Sequence, residues 1–327
     1  IPTFTADGRP FYAATAPRYN PAFGAIRVVQ TDAQQNYDSL QVQFNKRQSQ
    51  SVNFQLSYTY SSAITDSGAW QAALTANTPD SSLVPFDRGA DRSLASQHQR
   101  HALAMNGSYR VPKLGMRGVA AQILEGWEAS GIFSAATGNP FTVLVGSNRS
   151  NDGNSGAPDR PSLAIGASNN PIEGSVGSCG IQGAGEALST AGRYFDPCSF
   201  TLPAAGTYGN LGRNTLIGPG RSTVNLSLVK NFTIREGHTL TYRMEWFNLF
   251  NRTNFGLPNR TVFSGTAYAG NAGVIQELAS SARQMQFNLL FFLIAGEIDL
   301  PAVDGRARIV RREGSGNAPS EIGRAHV

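Results

Sequence analysis

Tyr37-Asp38-Ser39-Leu40-Gln41-Val42-Gln43-Phe44-Asn45-Lys46 is the stretch that decides the fold. Leu40, Val42 and Phe44 fall on one side of an extended chain, and Ser39, Gln41, Gln43 and Asn45 fall on the other. That period of two belongs to a β-strand with one apolar face. A polar turn over 48–51 follows, and the alternation resumes with Val52, Phe54, Leu56, Tyr58 and Tyr60 set against Asn53, Gln55, Ser57, Thr59 and Ser61. The spacing predicts two antiparallel strands of about ten residues joined by a tight turn.

The same pattern recurs outward from this hairpin. Leu103, Met105, Tyr109 and Val111 alternate with Ala104, Asn106, Ser108 and Arg110; Trp127, Ala129, Gly131 and Phe133 alternate with Glu128, Ser130 and Ser134, with Ile132 as an exception. Val224, Leu226, Leu228 and Phe232 oppose Asn225, Ser227 and Asn231, and beyond the turn at 235–238 come Leu240, Tyr242, Met244 and Trp246 opposite Thr241, Arg243 and Glu245. A last strand sets Met285, Phe287, Leu289 and Phe291 against Gln284, Gln286 and Asn288. With 24–32 added the expectation is about eight strands, and no segment has a convincing helical period.

The connections alternate in length. Residues 48–51 and 235–238 are tight turns and 112–123 is of moderate length, whereas 63–96, 138–221 and 251–281 are long and rich in Gly, Asn, Ser and Pro. If each strand crosses a slab, every short turn lies on one side and every long loop on the other. With aromatic-rich apolar faces and Gln/Asn/Ser/Thr faces opposite, this is the pattern of an antiparallel transmembrane β-barrel, lipid outside and a wet lumen within. Only helices and closed sheets satisfy their backbone hydrogen bonds in lipid. A soluble β-sandwich also alternates with period two, but its strands are shorter and its loops similar at both ends.

Composition agrees. Of 327 residues 40% are hydrophobic and only 15% charged, against roughly 25% charge in an average soluble domain. This excludes a disordered charged tail, a collagen, a coiled coil and a disulfide-dense mini-protein. The net charge of +5 rests on 27 cations, of which only Lys46, Lys113 and Lys230 are lysines. They are scattered, and the one dense group (Arg306, Arg308, Arg311 and Arg312) is offset by neighbouring acids. A nucleic-acid partner needs cations clustered on one face and is not expected. The longest apolar run, Phe287 to Ala295, is broken by Asn288 and falls short of the ~20 residues of a membrane helix. The chain shows no signal peptide and starts at Ile1, so a part of a longer protein is expected.

Several segments resemble the C-terminal barrel of the TonB-dependent outer-membrane receptors, in particular the Oar-like branch of acidobacterial type. The run Gly209-Asn210-Leu211-Gly212-Arg213-Asn214-Thr215-Leu216-Ile217-Gly218-Pro219-Gly220 carries the similarity, with Val224 to Phe232, Tyr242 to Asn251 and Asn254 to Asn259 after it. Upstream, Asn36 to Val42, Ser57 to Ser61 and Gly126 to Ile132 fit the same family, and Arg283 to Phe287 resembles its closing strand. The resemblance implies the C-terminal portion, over 1–293, of a barrel of about 22 strands, with the N-terminal plug domain absent. It also implies energy-coupled uptake of a scarce nutrient (a siderophore, glycan or peptide) across the outer membrane of a Gram-negative bacterium. The implied partners are outer-membrane lipid, the TonB complex acting through the plug, the barrel-assembly machinery and a small ligand of unknown identity. Residues 294–327 depart from the pattern and read as a non-native or disordered tail, whose end, Glu321 to Val327, resembles a translated sequencing adapter. The rival expectation is an outer-membrane or secreted β-rich adhesion protein that recognises its target with the long loops.

Individual residues add less. Cys179 and Cys198, 19 apart in a Gly- and Ser-rich stretch, suit a loop disulfide in an oxidising compartment better than a metal or redox site, with free thiols as the alternative. His98 and His101 lie three apart, on opposite faces if they share a strand. Asn151 to Gly156 with Asp159 has the oxygen-rich look of a calcium loop, so Asp152, Asn154 and Asp159 are weak metal candidates, but the EF-hand spacing and closing Glu are missing. Arg243 and Glu245 project to the lumen if Tyr242, Met244 and Trp246 face lipid, either lining a substrate path or forming a structural ion pair. Tyr58, Tyr60, Trp127 and Trp246 read as interfacial girdle residues. No nucleophile elbow and no phosphate-cradling loop is present, so neither an enzyme nor a cofactor is expected.

Overall fold

The computed structural model describes residues 2–6, 8, 10–15, 20–23, 31–48, 51–67, 83–84, 87–112, 115–153, 159–235 and 238–293. The expected strand over 24–32 and the tail 294–327 lie almost wholly or wholly outside the described residues. Seven long strands follow one another: β1 (Gln35–Gln48), β2 (Val52–Thr65), β3 (His101–Arg110), β4 (Trp127–Ala136), β5 (Arg221–Arg235), β6 (His238–Phe247) and β7 (Gln284–Leu293). Each has at least the roughly 9–11 residues that a tilted strand needs to cross a bilayer. They form one antiparallel sheet in strict chain order, β1 to β7, and the two-residue strand Ser93–Leu94 pairs with the end of β2. The polar face is strung with neutral cross-strand bonds such as Gln55 to Asn106 at 3.3 Å and Ser134 to Thr223 at 2.8 Å.

Cross-strand partners share a face, so the pairings test the alternation directly. One row runs Phe44, Leu56, Met105, Phe133, Val224, and the next row but one runs Tyr109, Ala129, Leu228, Met244, Phe287. A third, Lys46, Phe54, Gly107, Gly131, Leu226, Trp246, Met285, begins two residues from the short-turn end of β1 and finishes one residue from the long-loop end of β7. The strands are therefore stepped across the sheet, the stagger that accompanies tilted barrel strands. Among the described residues most of this apolar face has no protein layer over it: Leu40 is 61% exposed, Phe287 58% and Leu289 66%. Soluble monomers rarely leave contiguous apolar patches above a few hundred Å² in water.

The buried core lies elsewhere, in the long connections. Phe141, Val143, Val145, Phe195, Phe200, Leu216 and Val262 are almost fully buried and pack with Tyr194, Leu211, Phe263 and Ile275. All belong to 137–220 or 248–283, so the segments expected to be irregular loops fold into a packed cap at one end of the sheet. Short antiparallel pairs knit it: Pro140–Phe141 with Leu216–Ile217, Ser162–Leu163 with Phe200–Thr201, and Phe263–Ser264 with Ala267–Tyr268. Loop boundaries move accordingly, to 66–100, 137–220 and 248–283.

At the opposite end β1 and β2 are joined across 49–51, β5 ends at Arg235 and β6 begins at His238. The connection from β3 to β4 departs from expectation, because it contains a short helix, α1 (Val119–Leu124). Six residues are too few for a helical period to register in the sequence.

Candidate binding surface

Two surfaces bear chemistry, the polar face of the sheet and the cap. On the polar face Arg110 Nη2 donates to Glu128 Oε2 at 2.8 Å across the β3–β4 pair. Arg243 and Glu245 share this face, as the alternation predicts, and approach to 3.9 Å along β6. Arg243 stands opposite Val229 on one side and Asn288 on the other, so its nearest carboxylate is on its own strand rather than on the next. Its side chain remains half exposed on the polar face. Leu290 and Phe292 also lie on this face, opposite Thr241 and Thr239, and make the short-turn end of β7 apolar on both sides.

The cap is anchored to the sheet by a buried charged cluster that sequence reasoning did not find. Arg160 Nη2 donates to Asp91 Oδ1 at 2.8 Å, with both side chains 3% exposed. The other Asp91 oxygen accepts the Leu83 N–H at 3.0 Å, and Arg160 also donates to the Ala90 carbonyl. Arg213 reaches the same region, donating to Ser93 Oγ at 2.9 Å, to the Thr65 carbonyl at 2.9 Å and to the Ser67 carbonyl. Burial pulls both guanidiniums below their usual pKa and Asp91 opposes the shift, but an arginine stays charged throughout the physiological range. Beside them Thr142 Oγ1 donates to Asn214 Oδ1 at 2.9 Å, and Asn214 Nδ2 donates to the Leu94 carbonyl at 2.8 Å.

These contacts explain the run 209–214 physically. Arg213 and Asn214 hold the loop after β4 to the loop after β2, with Asn214 in the left-handed region at φ 51°. A Cβ on Gly209 would sit 2.2 Å from the Arg160 carbonyl oxygen, so only glycine allows this approach. The run 248–254 behaves likewise. Asn248 and Asn251 take φ values of 51° and 52°, a conformation that asparagine tolerates better than most residues. Asn254 brackets Ser222, accepting its N–H at 2.8 Å and donating to its carbonyl at 3.0 Å.

The remaining sequence candidates are placed as follows. Cys179 and Cys198 are joined by a disulfide, with Cα atoms 5.4 Å apart. Asp159 is buried, and Ser150 occupies both its oxygens, by its N–H at 2.5 Å and its hydroxyl at 3.0 Å. Burial raises the Asp159 pKa and these hydrogen bonds partly oppose the rise. Asp152 accepts the Tyr208 hydroxyl at 3.1 Å, and Asn154 lies outside the described residues. Among the described residues no three His, Cys, Asp or Glu side chains come together as metal ligands would. His98 precedes β3 and does not share the strand with His101. It is buried and accepts the Ala63 N–H through Nδ1 at 3.2 Å, whereas His101 opens β3 on the apolar face and stacks on Tyr58. Tyr58, Tyr60 and Trp246 lie on the apolar face toward the long-loop end, and Trp127 lies on it at the short-turn end. Burial pushes the Tyr194 phenol up to about 12, and its hydroxyl donates to the Ile217 carbonyl at 3.0 Å.

The family model of the outer membrane beta barrel domain matches residues 2–286, nearly the whole span of the sheet and cap. The chain belongs to this family. No curated protein and no solved structure matches it. Membership places the chain in the outer membrane of a Gram-negative bacterium and gives the bare apolar face its solvent, since a barrel domain presents that face to lipid. The long connections and their cap then lie together beyond one edge of the lipid, and the short turns beyond the other.

Proposed function

We propose that this outer membrane beta barrel domain is the C-terminal stretch of the barrel of a TonB-dependent receptor that imports a scarce nutrient. The observation that carries the reading is the run 209–259, whose Oar-like residues serve here as cap-to-sheet fastenings at Arg213, Asn214, Asn248 and Asn254. Two further features support it. The sheet has unpaired edges at β1 and β7 among the described residues, which suits a portion of a larger closed barrel of about 22 strands. The polar face, with Arg243 and Glu245, suits a wet lumen. The ligand is a siderophore, glycan or peptide bound by the cap and upper lumen, the role is transport rather than catalysis, and neither a cofactor nor a nucleic acid takes part. TonB acts through a plug domain upstream of these strands, and the barrel-assembly machinery inserts the protein.

The test uses the full-length protein encoded by the gene. Retention of the full-length protein by the immobilised periplasmic domain of TonB, with loss on deleting the segment upstream of the barrel, is the expected result. A gene that encodes no plug-like domain and a product that TonB does not retain would overturn the reading. A second reading, adhesion through the long loops, is favoured by the packing of those loops into a cap with its own buried core. It predicts TonB-independent binding of the protein to a surface.

A further inference from the structure

The connection between β3 and β4 carries an unexpected surface. In α1 the side chains of Val119, Ile123 and Leu124 are 70%, 55% and 55% exposed, and Ala120 is exposed beside them. At 100° per residue these four form one continuous apolar arc of about 140°. Gln122 lies on the other side, and the exposed Arg117 precedes the helix.

Two hydrogen bonds fix where this helix lies. Lys230, on the apolar face of β5 directly opposite Trp127, is 2% exposed. Its Nζ donates to the Glu125 carbonyl just after α1 and lies 5.9 Å from the Trp127 ring centroid and 5.3 Å from that of Phe232. Trp127, on the same face, donates its indole N–H to the Ile123 carbonyl at 2.8 Å. Met116 N–H donates to Glu125 Oε1 at 2.9 Å and closes the loop on itself. The helix is thus pinned to the lipid side of the sheet at the short-turn end, not to the lumen.

We infer that α1 is an interfacial anchor, lying with Val119, Ile123 and Leu124 in the phospholipid headgroup and acyl boundary of the periplasmic leaflet, with Lys230 as the clasp that holds it there. Lipid is the partner because Trp127 and Lys230 hold the helix, with its arc exposed, against the apolar sheet face, which family membership already assigns to the bilayer. An amphipathic segment with a nearby cation is suited to that boundary. The clasp also resolves how a lysine sits on a lipid face, since its ammonium is taken up by a backbone carbonyl and two aromatic rings at the edge of the membrane. The inference rests on outer-membrane placement and is independent of the transport reading.

Spin labels at Ile123→Cys, Leu124→Cys, Leu289→Cys and Ser189→Cys, in the full-length protein in phosphatidylethanolamine/phosphatidylglycerol bilayers, test it. The ratio of collision rates with oxygen and with a water-soluble nickel chelate reports immersion. Labels at 123 and 124 are expected to resemble the lipid-facing 289, several-fold above the aqueous 189. Values equal to that at 189 would overturn the anchor. In a Lys230→Gln background the ratio at 123 is expected to fall at least twofold while that at 289 is unchanged. An unchanged ratio at 123 would overturn the role of Lys230.

Discussion

Asp91 shows how much of the cap depends on single side chains that carry no signal in the sequence. It sits in a two-residue-paired connection far from Arg160 and Arg213, and only the folded chain brings the three together. Removing the carboxylate leaves Arg160 buried without its counter-charge, which typically costs 3–5 kcal/mol, whereas replacing both partners by apolar residues of similar size is often tolerated. Asp91→Ala is therefore expected to loosen the cap by about 3–5 kcal/mol, read as faster hydrogen exchange at Val143 and Val145, and Asp91→Leu/Arg160→Met to regain most of the loss. His98 supplies a pH dependence. Burial, helped by Arg100, lowers its pKa from 6.5. The unfolded chain then binds more protons in the window between that lowered value and 6.5. Stability is full above 6.5 and falls as the pH drops through the window. Protection of the Ala63 amide is expected to decline below pH 6.5, and to lose that dependence in His98→Gln. Asp159 acts with the opposite sign, because its raised pKa makes protonation in acid favour the folded state. Of the cluster around Asp91 the sequence displayed only the motif-borne Arg213, as a resemblance without a role, and it displayed Asp159 as a weak metal candidate and His98 as one of a histidine pair, rather than as the buried hydrogen-bond acceptors they are.

At the scale of elements the strands were legible because their signal is local. Alternation over Leu40 to Phe44 or Met285 to Phe291 names a face without reference to any distant residue, and the cross-strand pairing follows it. The cap was illegible for the converse reason. Phe141, Phe195 and Phe200 belong to no short period, and they meet through contacts between residues more than fifty positions apart as well as between near neighbours. Glycine- and asparagine-rich composition marked these segments as loops, and the same residues are what lets them turn tightly enough to pack. The two faces of β7 are expected to respond differently to charge. Phe287→Arg, on the lipid side at mid-strand, is expected to cost about 2–4 kcal/mol in the bilayer, while Gln286→Arg on the lumen side is nearly neutral. Chemical denaturation of the protein folded in vesicles distinguishes them; equal costs would mean that the faces do not differ in solvent.

At the scale of the whole molecule, a sheet that is stepped and, among the described residues, open, with its hydrophobic core displaced into the loops, has one economical explanation. The sheet needs no protein layer because lipid covers it, and the cap needs its own core because it stands in water. That division explains a chain with ordinary apolar content and little charge. The apolar residues are shared between a lipid-facing surface and a compact cap, and the polar face is mostly neutral. The most direct test is a cysteine scan from Gln284 to Phe291 in the full-length protein in outer membranes, each site labelled with an environment-sensitive fluorophore and quenched by brominated lipid or by aqueous iodide. The account predicts alternation with period two: positions 285, 287, 289 and 291 quenched by lipid, positions 284, 286 and 288 by iodide. Uniform quenching by iodide along the strand would contradict it.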